Sequence, residues 1–452
     1  MSTSNKYKEI PLLPSVHWFL KGAPPMRSNP PIHLLENHLK HGPIININVP
    51  FRLYLSIWEP EYIKHVLVNN NRNYIKDPAT RKLSLSLGNG LLTSEGDFWR
   101  RQRRIAQPAF HKKRIEMMTE RMLIETEKML EKWAQKSPEE AFDLSEDMMI
   151  LTSNIAAKSL FGADLENNLA IGKALLTSIR FITAAFRKIF MTPLWVPTKD
   201  NLKFNRAQKV LDQSIQQIVD HRRSQPQEEH HDLLSMLMEA RDEETGEGMT
   251  DRQIRDEMIT LFSAGHETSA NGLNWTFYNL NQHPEITAKV VEEIQTVLQG
   301  RRPTPADLMR LSYTRQVLME VMRLYPPAWA IGREPLEDDV IDGYLIPKGT
   351  AVVMAPYALH RNPAFWEDPE KFDPSRFEPE KIKTRHKFAY MPFGGGPRLC
   401  IGKDFAIMEM LAVLALVLSK YEVKLEPDHP IDLEPLITLR PLHGIRAWIL
   451  PR

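Results

Sequence analysis

The chain's single cysteine lies in the stretch Phe393-Gly394-Gly395-Gly396-Pro397-Arg398-Leu399-Cys400-Ile401-Gly402. An isolated cysteine is usually a small buried hydrophobe without chemistry. Here three consecutive glycines precede it, and glycine lets the backbone bend tightly and lets a flat partner approach closely. The surroundings of Cys400 therefore favour a functional cysteine.

Cys400 also precedes the most continuous apolar run of the chain, residues 405–418, which is broken only by Glu409. Such a run predicts a buried helix, so we expect Cys400 on the loop that enters this helix. Backbone N–H groups and the positive end of the helix favour an anionic sulfur. A thiolate held in this way under a flat partner is typical of a haem axial ligand.

The composition is that of an ordinary globular protein, with 42% hydrophobic and 25% charged residues. A net charge of +1 gives no overall field that would attract nucleic acid. One cysteine allows no intrachain disulfide, which suits a reducing compartment. The apolar segment at residues 17–20 is too short for a signal-peptide core, and no stretch reaches the ~20 apolar residues of a membrane span. We expect a cytoplasmic protein without a membrane anchor.

Helical periodicity dominates residues 95–325. The longest helical pattern runs from Thr250 to Gln282, where Thr250 and Gln253 have the spacing of a capping box and Pro284 ends the helix. A second helix should follow, with its apolar stripe at Ile286, Val290, Ile294 and Val297.

Alternating apolar residues at 45–49 and 51–57 predict two paired strands, interrupted by Pro50. A second strand pair is expected between Gly343 and Met354, about a turn at residues 347–349. Residues 361–400 are rich in Pro, Asn, Asp and Gly, which predicts a long ordered coil. Without a linker or an internal repeat, the sequence predicts a mainly α fold with small β-sheets and a long central helix, in one domain over residues 1–452.

The long helix contains the stretch Ala264-Gly265-His266-Glu267-Thr268-Ser269. Glycine in a helix interior costs about 0.5–1 kcal/mol relative to alanine, and its simplest role is a notch for helix packing. The acid and hydroxyl beside it favour a functional role, since a helix opened at Gly265 has room for a small ligand and water. Thr268 can donate a hydrogen bond there, and Glu267 can relay protons.

Two charged motifs each allow a structural and a functional interpretation. Glu320 and Arg323 share one helix face; most such pairs lie on the surface and contribute little. Their apolar neighbours favour burial, where the pair needs a further partner such as Arg376. Trp99 and Arg103 lie one turn apart and could bind a carboxylate such as a haem propionate. A solvated face, or a basic patch for an acidic partner, would consist of Arg100, Arg101, Arg104, Lys112, Lys113 and Arg114.

Taken together, these motifs resemble the cytochrome P450 family of haem-thiolate monooxygenases, in the same order and over nearly the whole chain. The cysteine loop is highly specific, whereas Glu-x-x-Arg alone is weak. No position of these motifs departs from the family pattern. The motifs are Trp-x-x-x-Arg at 99–103, Ala-Gly-x-Glu-Thr-Ser at 264–269, Glu-x-x-Arg at 320–323, Phe-x-x-x-Arg-Phe at 372–377 and the cysteine loop.

The resemblance implies a role for each matched residue. Cys400 would bind the iron of haem b, with Phe393 packed near the sulfur and Ala264 beside the haem on the central helix. Glu267 and Thr268 would deliver protons to bound dioxygen. The haem propionates would be bound by Trp99, Arg103, Arg333 and Arg398. A structural triad that fixes the coil before Cys400 would consist of Glu320, Arg323 and Arg376.

The resemblance also implies the reaction and its partners. One oxygen atom of O₂ would be inserted into a hydrophobic organic substrate. The electrons would come from a ferredoxin or flavodoxin with its reductase, or from a reductase domain that this chain does not contain, and an acidic donor would dock on the basic patch. We expect a monomer with no nucleic-acid partner.

Analogy with the family places the substrate contacts at apolar positions, although the same residues would also suit a plain hydrophobic core. The motif spacing and the segment 88–92 are similar to those of fatty-acid hydroxylases, so a long-chain fatty acid is the predicted substrate. The predicted pocket residues are Leu87, Leu92, Phe181, Phe262, Ala328, Ile331 and Ile437.

Three other interpretations stay open. Peroxide-driven peroxygenases and isomerases use the same scaffold, but they usually replace the acid–threonine pair that this chain has as Glu267-Thr268. A haem-binding sensor or carrier without turnover would not need a proton relay. A helical scaffold protein without haem would not depend on Cys400.

Overall fold

The computed structural model of the chain describes residues 7–13, 29–48, 52–162, 173–174, 177–178, 180–182, 184, 192–224, 232–242 and 244–452. The apolar segment at 17–20 and the predicted interruption at Pro50 lie outside these residues. The α-helices are α1 (Pro30–His41), α2 (Pro60–Lys64), α3 (Pro78–Lys82), α4 (Ser84–Leu87), α5 (Gly96–Ala106), α6 (Lys112–Trp133), α7 (Leu144–Phe161), α8 (Lys199–Ser224), α9 (Leu233–Glu239), α10 (Asp251–Gln282), α11 (Pro284–Leu298), α12 (Pro305–Arg310), α13 (Ser312–Leu324), α14 (Pro356–Leu359), α15 (Pro379–Thr384) and α16 (Lys403–Lys420). The β-strands are β1 (Ile44–Asn46), β2 (Tyr54–Ile57), β3 (Tyr74–Lys76), β4 (Phe142–Asp143), β5 (Ile331–Pro335), β6 (Asp339–Ile341), β7 (Tyr344–Ile346), β8 (Ala351–Met354), β9 (Tyr421–Leu425), β10 (Leu433–Pro435), β11 (Leu439–Pro441) and β12 (Arg446–Pro451).

The central helix α10 begins with the predicted capping box. The Gln253 N–H donates to Thr250 Oγ1 at 3.3 Å, and the Thr250 N–H donates to Gln253 Oε1 at 2.7 Å. Nearly every residue from Ile254 to Leu280 is buried, so α10 runs through the core and not over its surface. The predicted long helix and its capping box are confirmed.

The core forms around α10 and the C-terminal helix α16. Phe405 and residues 407–418 are buried, on every face of α16, as the continuous apolar run predicts. The predicted stripe of α11 packs into the same hydrophobic cluster. Because α16 begins at Lys403, the expected position of Cys400 on the loop before a buried helix is confirmed.

The largest sheet has five strands in the order β1-β2-β8-β5-β3. The predicted pairing of the first two strands is confirmed, with Ile44 opposite Ile57 in antiparallel register. Strand β2 also pairs in parallel with β8, a strand about 300 residues later in the chain. At the other edge, Lys76 of β3 lies opposite Arg333 of β5, so the sheet brings two cations together.

The predicted strand pair between Gly343 and Met354 is wrong. Strand β7 pairs with β6, which precedes it, and β8 joins the five-stranded sheet instead. The hairpin turn is at Asp342-Gly343, with φ of 47° and 81°. An Asp-Gly pair suits the tight turns that need positive φ at both central residues. The hairpin therefore forms about Asp342-Gly343 and not about the Pro-Lys-Gly turn at residues 347–349.

The predicted fold class, mainly α with small β-sheets, is confirmed. Short helical turns interrupt the expected coil at residues 361–400, among them the turn of Pro374–Phe377. Within the described ranges, no helix is both long enough and apolar enough to cross a membrane.

Candidate active site

The loop before Cys400 is bent by its glycines. The Gly394 N–H donates to the carbonyl of Met391 at 3.0 Å. Gly394 and Gly396 have φ of 73° and 66°, a region in which other residues are strained. A Cβ atom at Gly396 would lie 2.1 Å from the carbonyl oxygen of Leu67. The backbone geometry therefore requires these glycines and presents the Cys400 side chain at the end of the loop.

The Cys400 side chain is exposed, and its backbone N–H donates to the carbonyl of Phe393 at 3.0 Å. Burial raises the pKa of the Cys400 thiol, whereas the Gly402 N–H and the Arg103 guanidinium lower it. Arg103 is fixed by a hydrogen bond from Nη1 to the Leu399 carbonyl at 2.9 Å. A thiol that is accessible but poorly hydrated needs a positive partner to stay deprotonated, and a bound metal ion supplies one.

Helix α10 has an exposed residue, Ala264, in its otherwise buried middle. The Thr268 hydroxyl donates to the Ala264 carbonyl at 2.6 Å, a bond that bends helices. A Cβ atom at Gly265 would meet only the Cβ atom of Ala156, at 3.8 Å, so helix packing does not require this glycine. An exposed residue inside a buried helix marks an internal opening, which favours the functional interpretation of this segment.

Cationic side chains cluster beside the cysteine loop. The Arg398 guanidinium lies 3.7 Å above the Trp99 ring, donates to the Ser94 carbonyl at 2.8 Å and pairs with Glu95. Trp99 and Arg103 occupy one face of α5, which brings the predicted indole–guanidinium pair to this place. The members of the cation cluster are Lys76, Arg103, Arg333 and Arg398.

Electrostatic strain shows that the cation cluster carries excess positive charge. Burial and the neighbouring Arg333 together lower the pKa of Arg398 to about 10, although the nearby Glu95 opposes this shift. Burial, Arg333 and Arg398 lower the pKa of Lys76, which Glu95 and Asp77 only partly oppose. An anionic group bound among these side chains would relieve the repulsion.

The donor set fits a haem group with two propionates. Among the described residues, neither the Trp99 indole N–H nor the Lys76 ammonium has a hydrogen-bond partner. Lys76 is a residue that the sequence analysis missed, although Tyr74 and Lys76 alternate on one strand face and both are buried. The accessible sulfur of Cys400 supplies the ligand type that haem proteins of the thiolate class use.

The predicted triad is assembled in the core. Glu320 and Arg323 are both fully buried, with Nε–Oε2 and Nη2–Oε1 distances of 2.7 and 2.8 Å. Arg376 Nε lies 3.4 Å from Glu320 Oε1. Arg323 ties the coil to α13 because its remaining N–H groups donate to the carbonyls of His360, Pro369 and Lys371.

His360 continues this network to the cysteine loop, a role that the sequence analysis missed. Burial lowers the pKa of His360 to about 3, so the ring is neutral. Its Nδ1 donates to the Arg323 carbonyl at 3.1 Å, and its Nε2 accepts the Met391 N–H at 2.9 Å. Since the Met391 carbonyl accepts the Gly394 N–H, the buried triad positions the bend before Cys400.

Glu267 and Thr268 are adjacent in sequence, but their side chains have separate partners. Residues one apart on a helix do not face each other. The Thr438 hydroxyl donates to Glu267 Oε1 at 2.7 Å, and Asn271 Nδ2 donates to Thr438 Oγ1 at 3.1 Å. The carboxylate of Glu267 therefore binds the turn between β10 and β11, a contact that local sequence could not show.

Comparison with known proteins agrees with this geometry. The family model described as Cytochrome P450 matches residues 11–445 of the chain. The chain belongs to the cytochrome P450 family.

Relatives of this cytochrome P450 include two proteins of Streptomyces melanosporofaciens. Cyclooctatin synthase is 35% identical over 424 residues, which are 93% of this chain and 91% of the relative. Cyclooctat-9-en-7-ol 5-monooxygenase is 34% identical over 402 residues, 88% of this chain and 86% of the relative. Pentalenene oxygenase of Streptomyces avermitilis is 32% identical over 425 residues, 92% of this chain and 91% of the relative.

A solved structure, the crystal structure of cytochrome P450DA heme domain, matches with a TM-score of 0.90. It is 26% identical in sequence, and the match covers 99% of this chain and 98% of that chain. This cytochrome P450 is a monooxygenase, and its family implies a haem cofactor.

The predicted basic patch of this cytochrome P450 is largely neutralised within the molecule. Arg101 pairs with Glu247 at 2.9 Å, and Arg104 pairs with Asp242 and Glu244 at 2.8 and 2.7 Å. Arg100 forms an ion pair with the adjacent turn of its own helix. In the part of the chain that the structure describes, Lys113 and Arg114 keep no acidic partner.

The predicted pocket residues fall into two groups. Ala328, Ile331 and Ile437 are half-buried, and the Trp329 indole donates to the Leu436 carbonyl at 2.9 Å, which joins their two segments. Others contribute to the core, as the alternative interpretation expected. Leu87 and Phe262 belong to the main hydrophobic cluster. The ring of Phe181 stacks on that of Phe204. Leu92 is 37% exposed.

Glu409 of α16 is fully buried, and among the described residues neither of its carboxyl oxygens has a hydrogen-bond partner. Burial raises the pKa of Glu409 to about 8, and the nearby Ser269 hydroxyl opposes this shift only partly. Between pH 4.5, the usual pKa of a glutamate, and about pH 8, Glu409 therefore keeps its proton in the folded protein and releases it in the unfolded chain.

It follows that the free energy of unfolding decreases as the pH rises through this window. We expect Glu409→Gln to remove this component, a difference from the wild type on the order of a few kcal/mol between pH 5 and pH 9. Urea titrations at the two pH values measure it. Groups that titrate elsewhere cancel in the comparison, so parallel pH profiles of the two proteins would contradict the prediction.

Proposed function

We propose that this cytochrome P450 is an O₂-dependent haem-thiolate monooxygenase of hydrophobic substrates, with Cys400 as the axial ligand of haem b. The observation that carries the proposal is the accessible thiol on a glycine-bent loop beside the cation cluster. Residues 1–452 form one haem domain in this proposal. The domain receives its electrons from a separate protein.

The propionates of the haem bind to Trp99, Arg103, Arg333 and Arg398, with Lys76 as a further cation. Support comes from the excess charge of the cluster and from the free N–H groups of Trp99 and Lys76. Phe393 packs near the sulfur in this proposal, which is supported by the hydrogen bond from the Cys400 N–H to the Phe393 carbonyl. Ala264, which is exposed in the middle of α10, would lie beside the haem. The triad of Glu320, Arg323 and Arg376 acts structurally.

A haem held by Cys400 would supply the oxygen-activating chemistry, and the thiolate would contribute electron density that favours O–O cleavage. The residues of the chain supply orientation and protons. Thr268 offers its hydroxyl to the site once it leaves the Ala264 carbonyl, and Glu267 provides the proton. Because Glu267 binds Thr438, the carboxylate reaches the site only after this contact opens, so the turn at residues 436–438 takes part in proton delivery.

For the substrate, we infer a cyclic terpene. Relatives that match 88% and 92% of this chain are named for cyclooctat-9-en-7-ol and pentalenene. The apolar pocket residues Ala328, Ile331 and Ile437 suit such a molecule. The long-chain fatty acid stays a prediction that the same experiment decides.

A ferredoxin or flavodoxin with its reductase is the proposed electron donor. Arg101 and Arg104 form ion pairs within the protein, so we exclude them from the basic surface on which the donor docks. This surface then consists of the first turn of α6, around Lys113 and Arg114. The exposed side chain of Leu399, beside Cys400, would lie under the donor. The cytoplasmic location and the monomeric state stay predictions.

The absorption spectrum of the reduced protein with carbon monoxide tests the class of haem ligand. A far red-shifted Soret band supports a thiolate at Cys400. Absence of the shift in freshly prepared, haem-loaded protein would overturn the monooxygenase proposal. Titration of the ferric protein with pentalenene and with palmitic acid then tests the substrate class, because bound substrate displaces water from the iron and shifts its spin state. A shift with palmitic acid alone would replace the terpene by the fatty acid.

Thr268→Ala is expected to release hydrogen peroxide at the expense of hydroxylated product, by about tenfold in coupling, because the site loses its hydroxyl donor. Thr276→Ala is the matched control, since Thr276 donates to the Gly272 carbonyl at 2.7 Å on the same helix. Unchanged coupling in Thr268→Ala would contradict the role of this hydroxyl. Equal product formation by the wild type from hydrogen peroxide without a reductase would favour the peroxygenase alternative.

A further inference from the structure

The loop at residues 88–92, which follows α4, is bound to α10 by two adjacent carboxylates. The Asn89 N–H donates to Asp256 Oδ2 at 2.8 Å, and the Leu91 N–H donates to Glu257 Oε2 at 3.0 Å. The two acidic residues are 4% and 1% exposed. Two successive residues of α10 thus accept hydrogen bonds from two alternate amides of one loop. These two contacts fix both the position of the loop along α10 and its orientation.

Glycine brings this loop into direct contact with the helix. Gly88 has φ of 65°, and a Cβ atom there would lie 2.1 Å from Asp256 Oδ1. A Cβ atom at Gly90 would lie 2.2 Å from Thr260 Oγ1 and 2.6 Å from the Asp256 carbonyl oxygen. Any other residue at these positions would push the loop away from α10.

The contact of Asp256 and Glu257 with the amides of this loop, called the clasp from here on, includes polar atoms whose hydrogen bonding is incomplete. Among the described residues, Glu257 Oε1 and Thr260 Oγ1 are buried without a hydrogen-bond partner. Burial and the neighbouring Asp256 raise the pKa of Glu257 to about 7. Buried polar atoms without partners weaken a fold, and positions that break this rule are expected at functional sites.

Arg255 extends the clasp to a third element. Its guanidinium donates to Asp256 Oδ1 at 2.9 Å and to Asp212 Oδ1 of α8 at 2.6 Å. Gln208 of α8 accepts from Arg255 at 3.1 Å and donates to the Ser86 hydroxyl at 2.9 Å. The end of α4 before the loop, α10 and α8 are therefore cross-linked by one partly buried polar network.

We propose that Asp256 and Glu257 are positioning residues that determine the substrate range of the enzyme, because they hold the loop that carries Leu92 as a fixed wall of the pocket. The inference rests on the proposed function. A rigid wall favours binding of rigid cyclic molecules of matching shape over a long flexible chain. In a pocket with a mobile wall, both kinds of molecule would bind with similar affinity. Freeing the loop should therefore relax the preference without changing the chemistry.

The test compares Glu257→Leu with Glu293→Leu. Glu293 makes the same kind of contact elsewhere, because its carboxylate accepts the Tyr313 and Thr314 N–H groups, each at 2.8 Å. In Glu257→Leu, hydrogen exchange at the Leu91 amide should accelerate about tenfold or more, since a hydrogen bond to a charged group is lost. The ratio of the dissociation constants of palmitic acid and pentalenene, from spin-shift titrations, should fall about tenfold. Glu293→Leu should change neither quantity.

Gly90→Ala changes the loop instead of the helix and keeps Glu257 intact. Its added methyl group should push the loop away from α10 and change the ratio of dissociation constants in the same direction. An unchanged Leu91 exchange rate or an unchanged ratio in Glu257→Leu would overturn the proposal, as would failure of both variants to bind haem. The exchange measurement needs neither O₂ nor electrons. A wild-type protein without the red-shifted carbon monoxide band would instead count against the proposed function alone.

Discussion

Cys400→Ser is expected to abolish the far red-shifted Soret band of the reduced carbon monoxide complex. A serine hydroxyl stays protonated at neutral pH and cannot donate electron density as a thiolate does. Substrate hydroxylation should fall on the order of 100-fold or more, because the thiolate favours O–O cleavage. Haem content, measured separately by extraction, distinguishes a changed ligand from lost haem.

Leu399→Ser is the matched control for this experiment. It introduces the same side chain at the preceding position, and the Leu399 carbonyl that accepts from Arg103 stays in place. The control should keep the red-shifted band and most of its activity. A red-shifted band in Cys400→Ser would show that the sulfur is not the ligand, since the chain has no second cysteine.

Arg323→Met is expected to lower the free energy of unfolding by about 3–5 kcal/mol, since it leaves the buried Glu320 carboxylate without its charge partner. Three coil carbonyls lose their donor as well. Because this coil leads through His360 and Met391 to the cysteine loop, haem affinity should fall with stability. Urea unfolding, followed by circular dichroism and by the Soret band, measures both.

The exposed pair of Lys383 and Glu380 provides the control. It has the same spacing of three residues and an N–O distance of 2.8 Å, but the side chains are 69% and 82% exposed. Lys383→Met should stay within about 0.5 kcal/mol of the wild type, because solvent screens such pairs. Similar losses in the two variants would contradict the structural role assigned to the buried triad.

The sequence was sufficient wherever a local pattern and its burial agreed. The 32-residue helix α10, with its capping box, and the apolar helix α16 could be predicted because period, caps and composition all point to the same structure. The strand pairing at residues 343–354 could not, since two turn signals compete within a few residues and only the sheet decides between them. Strand β8 pairs with β5, about 20 residues earlier in the chain, and with β2, about 300 residues earlier.

Candidate site residues can be proposed from the sequence where a motif has a fixed spacing, whereas a contact with a distant segment cannot be predicted in this way. Cys400, Arg398 and Glu320 belong to such motifs. The contact of Thr438 with Glu267 spans 171 residues, and the ion pair of Arg104 with Asp242 spans 138. No residue near Arg104 in the sequence indicates that Asp242 is its partner. The predicted basic patch therefore contained more unpaired cations than the folded protein has.

The parallel pairing of β2 with β8 governs the order in which the molecule can assemble. Tyr54 pairs with Ala351, so about 300 residues must leave the ribosome before this contact can form. At about 5–20 residues per second, the first strands wait roughly 15–60 s, with their edges open to other chains. Pairing over such a distance is also slow, because loop closure must precede any gain from contact. We therefore expect local helices to fold early and the sheet that brings Lys76 beside Arg333 to close late, which would place haem uptake near the end of biogenesis.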